Sequence, residues 1–234
     1  MKIGLGAVIV AAGKGTRMNT PESKQYLLLE DKPILVHTIQ AFERFALIEH
    51  ITVVVGSEHI ERVQNWTSRY EFKKQVKVVA GGKDRQESVY EGLKQLPENI
   101  EWVLIHDGVR PFILQEQMQA CWEAAQITGS AVLAVPVKDT IKTVGSDMRI
   151  KNTPDRQSLW AVQTPQAFRV SEIADAHRRA ASEGYVGTDD ASLMERMGRP
   201  VQVVMGDYRN IKITTPEDLR IASVILEEIR TAQS

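Results

Sequence analysis

The residues suited to chemistry in this sequence are glycines and cations, and they fall at the ends of apolar runs. Ala11-Ala12-Gly13-Lys14-Gly15-Thr16-Arg17-Met18 follows one such run. Its glycines let backbone N–H groups approach an anion, while Lys14 and Arg17 supply charge, a pattern suited to phosphate. Lys24 stands in Pro21-Glu22-Ser23-Lys24-Gln25-Tyr26, a loop-like stretch from which it could clamp a polyphosphate. In His106-Asp107-Gly108-Val109-Arg110-Pro111 the carboxylate of Asp107 closes an apolar strand. An acid at that edge can hold a hard cation such as Mg2+ against phosphates, or it can cap a turn and pair with Arg110. Gly81-Gly82-Lys83-Asp84-Arg85-Gln86-Glu87-Ser88 could approach a base closely, and equally reads as a strand-end turn followed by a helix cap.

Two familiar nucleotide fingerprints fail. A P-loop needs a glycine where Val8 stands and Ser or Thr where Gly15 stands. The dinucleotide motif lacks its third glycine, replaced by Met18, and the second strand ends at Gly56-Ser57 without an acidic ribose ligand. These gaps argue against a nicotinamide-dependent oxidoreductase. A nucleotide-sensing module without catalysis would keep the glycine loop but has no need of further cations at Arg156 and Lys212. Taken singly, Arg156 and Lys212 read as surface charge, Thr188-Asp189-Asp190-Ala191-Ser192 as a helix start, and His106 as structural, since a lone His is no metal set.

Composition agrees with a soluble globular chain: 29 Lys plus Arg against 30 Asp plus Glu in 234 residues, a net charge of −1. Such a balance argues against binding to nucleic acid or an anionic membrane through excess basic charge. The single Cys121 excludes an internal disulfide and a zinc cluster and fits a reducing, cytoplasmic setting. The N-terminal apolar run is too short to span a bilayer.

The elements that must carry these residues alternate. Leu5 to Val10 is apolar on both faces, as a central parallel strand must be. The pattern predicts helices over 34–45, 58–70, 84–96 and 114–127, and strands over 51–55, 76–80, 102–106 and 131–135. Residues 136–156, with β-branched and polar types alternating around Val144-Gly145-Ser146-Asp147, predict a protruding hairpin. Helices over 171–183 and 188–197, strands over 201–205 and 211–213, and a last helix opened by Thr215-Pro216-Glu217-Asp218 complete the expectation. Repeated β-α-β winding predicts an α/β fold, a three-layer α/β/α sandwich around a mostly parallel Rossmann-like sheet, with ligand loops at the carboxyl ends of the strands. A single domain over 1–234 with a β-arm over 137–157 is expected.

Read together and in order, Ala11-Ala12-Gly13-x-Gly15-x-Arg17-Met18, Lys24-Gln25-Tyr26, His106-Asp107-x-x-Arg110-Pro111, Pro136-Val137-Lys138-Asp139-Thr140, Thr164-Pro165-Gln166 and Asn210-Ile211-Lys212-Ile213-Thr214 cover nearly the whole chain. They resemble the 2-C-methyl-D-erythritol 4-phosphate cytidylyltransferase family of non-mevalonate isoprenoid synthesis, within the nucleotidyltransferase superfamily. Ribitol-5-phosphate cytidylyltransferase is similar in the same loops, but its common Leu-Ala-Gly-Gly start differs from Val10-Ala11-Ala12-Gly13. The resemblance implies a nucleotide-diphospho-sugar transferase fold, CTP and a sugar-alcohol phosphate as substrates, Mg2+ or another divalent cation as cofactor, and a homodimer. It implies that Arg17 and Lys24 bind the triphosphate and the charge of the transition state, and that Ala11, Ala12, Gly13, Lys14, Gly15, Gly82 and Ser88 hold the nucleoside. Asp107 would sit near the metal, and Thr140, Arg156, Lys212 and Arg110 would bind the acceptor, with Thr140 and Arg156 serving the neighbouring subunit. Lys83 stands where some relatives carry an acid, which leaves the cytosine contact to backbone groups. Arg209 likewise replaces an acid before Asn-Ile-Lys.

Overall fold

A computed structural model of the chain describes residues 4–13 and 22–232. Lys14, Gly15, Arg17 and Met18 lie outside the described residues. The apolar run forms β1 (Gly4–Ala11), followed by a small hairpin of β2 (Leu28–Leu29) and β3 (Lys32–Pro33). Then come α1 (Ile34–Arg44), β4 (Ile48–Val55), α2 (Ile60–Arg69), β5 (Gln75–Ala80), α3 (Arg85–Leu93), β6 (Ile100–Asp107), α4 (Gln115–Thr128) and β7 (Ser130–Pro136). The second half holds β8 (Thr143–Val144), β9 (Ile150–Asn152), β10 (Trp160–Arg169), α5 (Val170–Ser182), α6 (Asp190–Arg196), β11 (Gln202–Met205) and α7 (Pro216–Ala232).

Among the described residues, seven strands form one sheet in the order β11-β7-β10-β6-β1-β4-β5. β1 pairs in parallel with β4 on one side and β6 on the other, so the winding reverses beside it. Such a switch point opens a crevice at the carboxyl edge. β1 alternates its side chains between two apolar layers, as its unbroken apolar sequence requires. Leu5, Ala7 and Ile9 pack with α1, α2 and α4 through Ile39, Phe42, Val63, Met118 and Cys121. Val8 faces α3, α5 and α6 through Val89, Leu93, Ile173 and Met194. Gly92 lets α3 approach β1 closely, because a Cβ there would lie 2.6 Å from a Val8 methyl carbon. Cys121 is buried in this core, which pushes its thiol up to about 12.

One strand is added to the expected set and one expected strand is lost. The stretch 160–169 carries no strand signal in the sequence, because Gln163, Thr164, Pro165 and Gln166 break the apolar pattern. It forms β10, which runs antiparallel between β6 and β7, and its ladder is irregular between Val162 and Gln166, where Pro165 has no N–H to give. Residues 211–213 do not form the expected strand. Ile213 donates one backbone bond to Val109 O at 3.0 Å and is buried against α7 with Phe112 and Ile225. The hairpin expected over 137–157 is present as β8 and β9, with a turn closed by Met148 N–H to Gly145 O at 3.0 Å. No helix among the described residues is long and apolar enough to cross a membrane.

Buried histidines make the fold sensitive to acid. Burial pushes His106 down to about 4 and lowers His37 and His50 as well. These groups are neutral in the folded chain, whereas the unfolded chain binds protons on them below about 6.5. The unfolded state therefore gains protons first, and stability present above about pH 6.5 is lost as pH falls towards 4. His106 alone corresponds to about 3 kcal/mol over that window. Urea midpoints at pH 7.5 and pH 4.5 test this, and an unchanged midpoint would contradict it.

Candidate active site

The carboxyl ends of β1, β5 and β6 surround a cavity of about 390 Å³. It is lined by the chain from Val10 to Gly13, by Gly82 to Arg85 with Ser88, and by Asp107, Val109 and Lys212. The loop carrying Lys24 completes the rim. That loop is fixed from below by its neighbours: Gln25 Nε2 donates to Ala11 O at 2.7 Å and Gly13 O at 2.9 Å. Tyr26 is buried, with its ring 4.5 Å from that of His59 and the Arg62 guanidinium 5.0 Å above it. Gln25 and Tyr26 thus help to hold Lys24 at the cavity.

The β5 end is shaped by a cap. Asp84 Oδ1 accepts the Glu87 N–H at 2.8 Å and starts α3. Ser88 Oγ donates to Asp84 O at 2.7 Å and accepts the Gly82 N–H at 3.1 Å, which folds the Gly82 turn back against the cavity. Gly81 must be glycine, since a Cβ would lie 2.6 Å from the Ala12 methyl.

Asp107 is the electrostatic centre. Its backbone continues β6, and the residue is 6% exposed. Arg85 Nε lies 3.2 Å from Oδ1, while Lys212 Nζ lies 2.9 Å and Arg110 Nε 3.6 Å from Oδ2. Burial alone would raise its pKa, but Arg85, then Lys212 and Arg110, outweigh burial and hold the carboxyl far below the ordinary range. The cavity lining carries Lys24, Lys83, Arg85 and Lys212 against Asp84 and Asp107, an excess of positive charge suited to a polyanion.

The cavity therefore brings together Ala11, Ala12, Gly13, Lys24, Gly82, Ser88, Asp107 and Lys212 from the sequence expectations. Lys14, Gly15 and Arg17 fall outside the described residues. Arg110 does not line it: the guanidinium is turned inward, with Nη1 donating to Asn210 O at 2.7 Å. Thr140 and Arg156 stand exposed near the hairpin, where Arg156 Nη1 donates to Lys138 O at 3.0 Å. Arg85 is a site residue that sequence reasoning misses. Its position in the first turn after the Asp84 cap is the available signal, but a helix start explains it equally well.

Among the described residues no group of three or more His, Cys, Asp or Glu could hold a metal by itself. Asp207, the acid before Asn210-Ile211-Lys212 in sequence, is paired to Arg209 at 2.8 Å and does not line the cavity. A single carboxylate beside a polyanion site still matches Mg2+, which takes one or two carboxylates and completes its shell with phosphate oxygens and water.

The family described as 2-C-methyl-D-erythritol 4-phosphate cytidylyltransferase matches residues 5–228 of this chain. The chain belongs to that family. A 2-C-methyl-D-erythritol 4-phosphate cytidylyltransferase of Alkaliphilus metalliredigens is 50% identical over 222 residues, covering 94% of this chain and 92% of its own. One from Caldanaerobacter subterraneus is 47% identical, covering 96% and 99%. Among solved structures, the 4-diphosphocytidyl-2C-methyl-D-erythritol synthase of Anaerococcus prevotii superposes with a TM-score of 0.86 at 32% identity, covering 97% of both chains. The 2-C-methyl-D-erythritol 4-phosphate cytidylyltransferase of Thermus thermophilus gives 0.78 at 29% identity, covering 95% and 98%. Membership of this cytidylyltransferase family extends over the sheet, the cavity and the hairpin alike.

Proposed function

We propose that this chain transfers a cytidylyl group from CTP to 2-C-methyl-D-erythritol 4-phosphate, giving 4-diphosphocytidyl-2-C-methyl-D-erythritol and pyrophosphate. The observation that carries the reading is the cation-lined cavity around buried Asp107 in a member of this family. A phosphate monoester is anionic near neutral pH, so its oxygen attacks the α-phosphorus without a general base, and the bond to the β-phosphate breaks as pyrophosphate leaves. Charge stabilisation then carries the rate.

In this reading Lys24, with Arg17, neutralises the triphosphate and the charge that develops at the α-phosphate. Ala11 to Gly13 with Gly82 and Ser88 hold the nucleoside through backbone and hydroxyl groups, as do Lys14 and Gly15. Lys212 binds the acceptor's phosphate. Arg110 supports it from behind, since the Asn210 carbonyl that its guanidinium holds lies two residues before Lys212. Mg2+, held by Asp107 and the phosphates, would neutralise charge on the triphosphate. To admit it, Asp107 gives up part of its pairing with the surrounding cations.

The reading includes a cytoplasmic homodimer in which Thr140 and Arg156 complete the neighbour's site. Its support is the apolar surface exposed around the hairpin and the sheet edge, with Val144 at 48%, Ile150 at 63% and Met205 at 57%. A lone two-stranded ribbon is marginal in water, so a second subunit would order it.

Pyrophosphate release from CTP, with methylerythritol 4-phosphate and ribitol 5-phosphate offered side by side, tests the assignment. CTP with methylerythritol 4-phosphate is expected to be the preferred pair. Equal or better turnover with ribitol 5-phosphate would overturn the acceptor.

A further inference from the structure

Two segments of this chain contribute no residue to the cavity lining yet close a ring of polar contacts around Asp107. Thr164 Oγ1 accepts the Asp107 N–H at 3.0 Å. Two residues on, Gln166 Nε2 donates to Asp189 Oδ2 at 2.8 Å and its Oε1 accepts the Ala191 N–H at 3.0 Å, which fixes the first turn of α6. That turn carries Asp190, 1% exposed, with Oδ2 2.8 Å from Arg85 Nη1 and Oδ1 3.1 Å from His177 Nε2. Arg85 returns to the start through Nε, 3.2 Å from Asp107 Oδ1.

A guanidinium is planar, and its donors point in fixed directions. With Nη1 bonded to Asp190 Oδ2 and Nε to Asp107 Oδ1, Arg85 engages one of the two Asp107 oxygens from that side. The other oxygen faces Lys212, whose side chain is 37% exposed and so the most open of the three cations around Asp107. Without the Asp190 anchor the guanidinium is free to turn onto both oxygens of Asp107 or into the cavity. Either movement alters the pairing of Lys212.

We propose that Asp190 is a positioning residue which, acting through Arg85, keeps the guanidinium on Asp107 Oδ1, leaves Oδ2 to Lys212 and so keeps Lys212 poised to pass from Asp107 to the phosphate of the acceptor. Gln166 belongs to the same device, because it holds the turn on which Asp190 sits. The proposal rests on the cytidylyl-transfer reading. Thr164-Pro165-Gln166 and Asp189-Asp190 then serve the site although neither lines the cavity.

The test is a kinetic cycle of Asp190→Asn, Arg85→Lys and the double variant, with folding followed by circular dichroism and rates measured well below each thermal midpoint. Asp190→Asn is expected to lower kcat/KM for methylerythritol 4-phosphate by on the order of a hundredfold, as small misplacements of binding groups do. CTP affinity, measured by calorimetry without acceptor, is expected to stay near wild type, a split that general loosening of the fold would not produce. The double variant should be no worse than the poorer single one. Retention of acceptor kcat/KM within about twofold of wild type, a parallel loss of CTP affinity, or multiplying effects in the double variant would each overturn the proposal. Should Asp190→Asn fail to fold, Gln166→Ala, which removes no charge, takes its place in the same cycle with the same expected outcomes. A wild-type chain that releases no pyrophosphate would instead refute the proposed function, so the two failures are distinguishable.

Discussion

Replacing Lys24 with alanine is expected to lower turnover by on the order of a hundredfold or more, the usual loss when one preorganised donor to a transition state is removed. The fold should survive. Gln25 ties the loop to Ala11 and Gly13, and Tyr26 anchors it in the core, so the loop has supports besides the Lys24 ammonium group. The loss should appear mainly in kcat at saturating CTP, because charge at the α-phosphate develops during transfer and is not fully present in the ground state. Arg17→Ala is expected to behave alike through the family's glycine loop. Near wild-type turnover in both variants at saturating CTP, with thermal midpoints unchanged, would remove the proposed clamp.

A mixture of two inactive variants, Lys24→Ala and Arg156→Ala, is expected to regain activity when their subunits exchange. Arg156 and Thr140 are exposed on the hairpin side and absent from the cavity of their own chain. The apolar side chains of the same region, Ile141, Val144 and Ile150, are exposed beside them. If the hairpin serves the neighbour, each mixed dimer has one site with both defects and one with neither. Random reassortment of equal amounts then restores about a quarter of wild-type sites, a large rise from two nearly inactive parents. Mixed dimers confirmed by native mass that stay as inactive as the parents would assign Arg156 to its own subunit or to no catalytic role.

Local sequence pattern was enough for much of this architecture. Leu5 to Val10 had to be a central strand, since a run apolar on both faces is stable only with a helical layer on each side. The alternation of strands and helices through α4 then places the glycine turn, the Gly82 turn and Asp107 at one edge of the sheet, because parallel strands share one direction. The cations of the glycine loop and Asp107 could therefore be named as site candidates from the sequence. Resemblance to the family added Lys212, which by itself read as surface charge. Tertiary structure alone decided β10, whose polar and proline-bearing sequence is acceptable only because Thr164 and Gln166 find partners in His106, Asp107, Asp189 and Ala191. It alone turned Arg110 inward and brought Arg85, Asp107, Asp190 and Lys212 into one network. Periodicity reports which face of an element is buried, but a buried charge is stabilised by whichever opposite charges the fold brings within a few ångströms of it. For Asp107 those partners come from three separate segments of the chain.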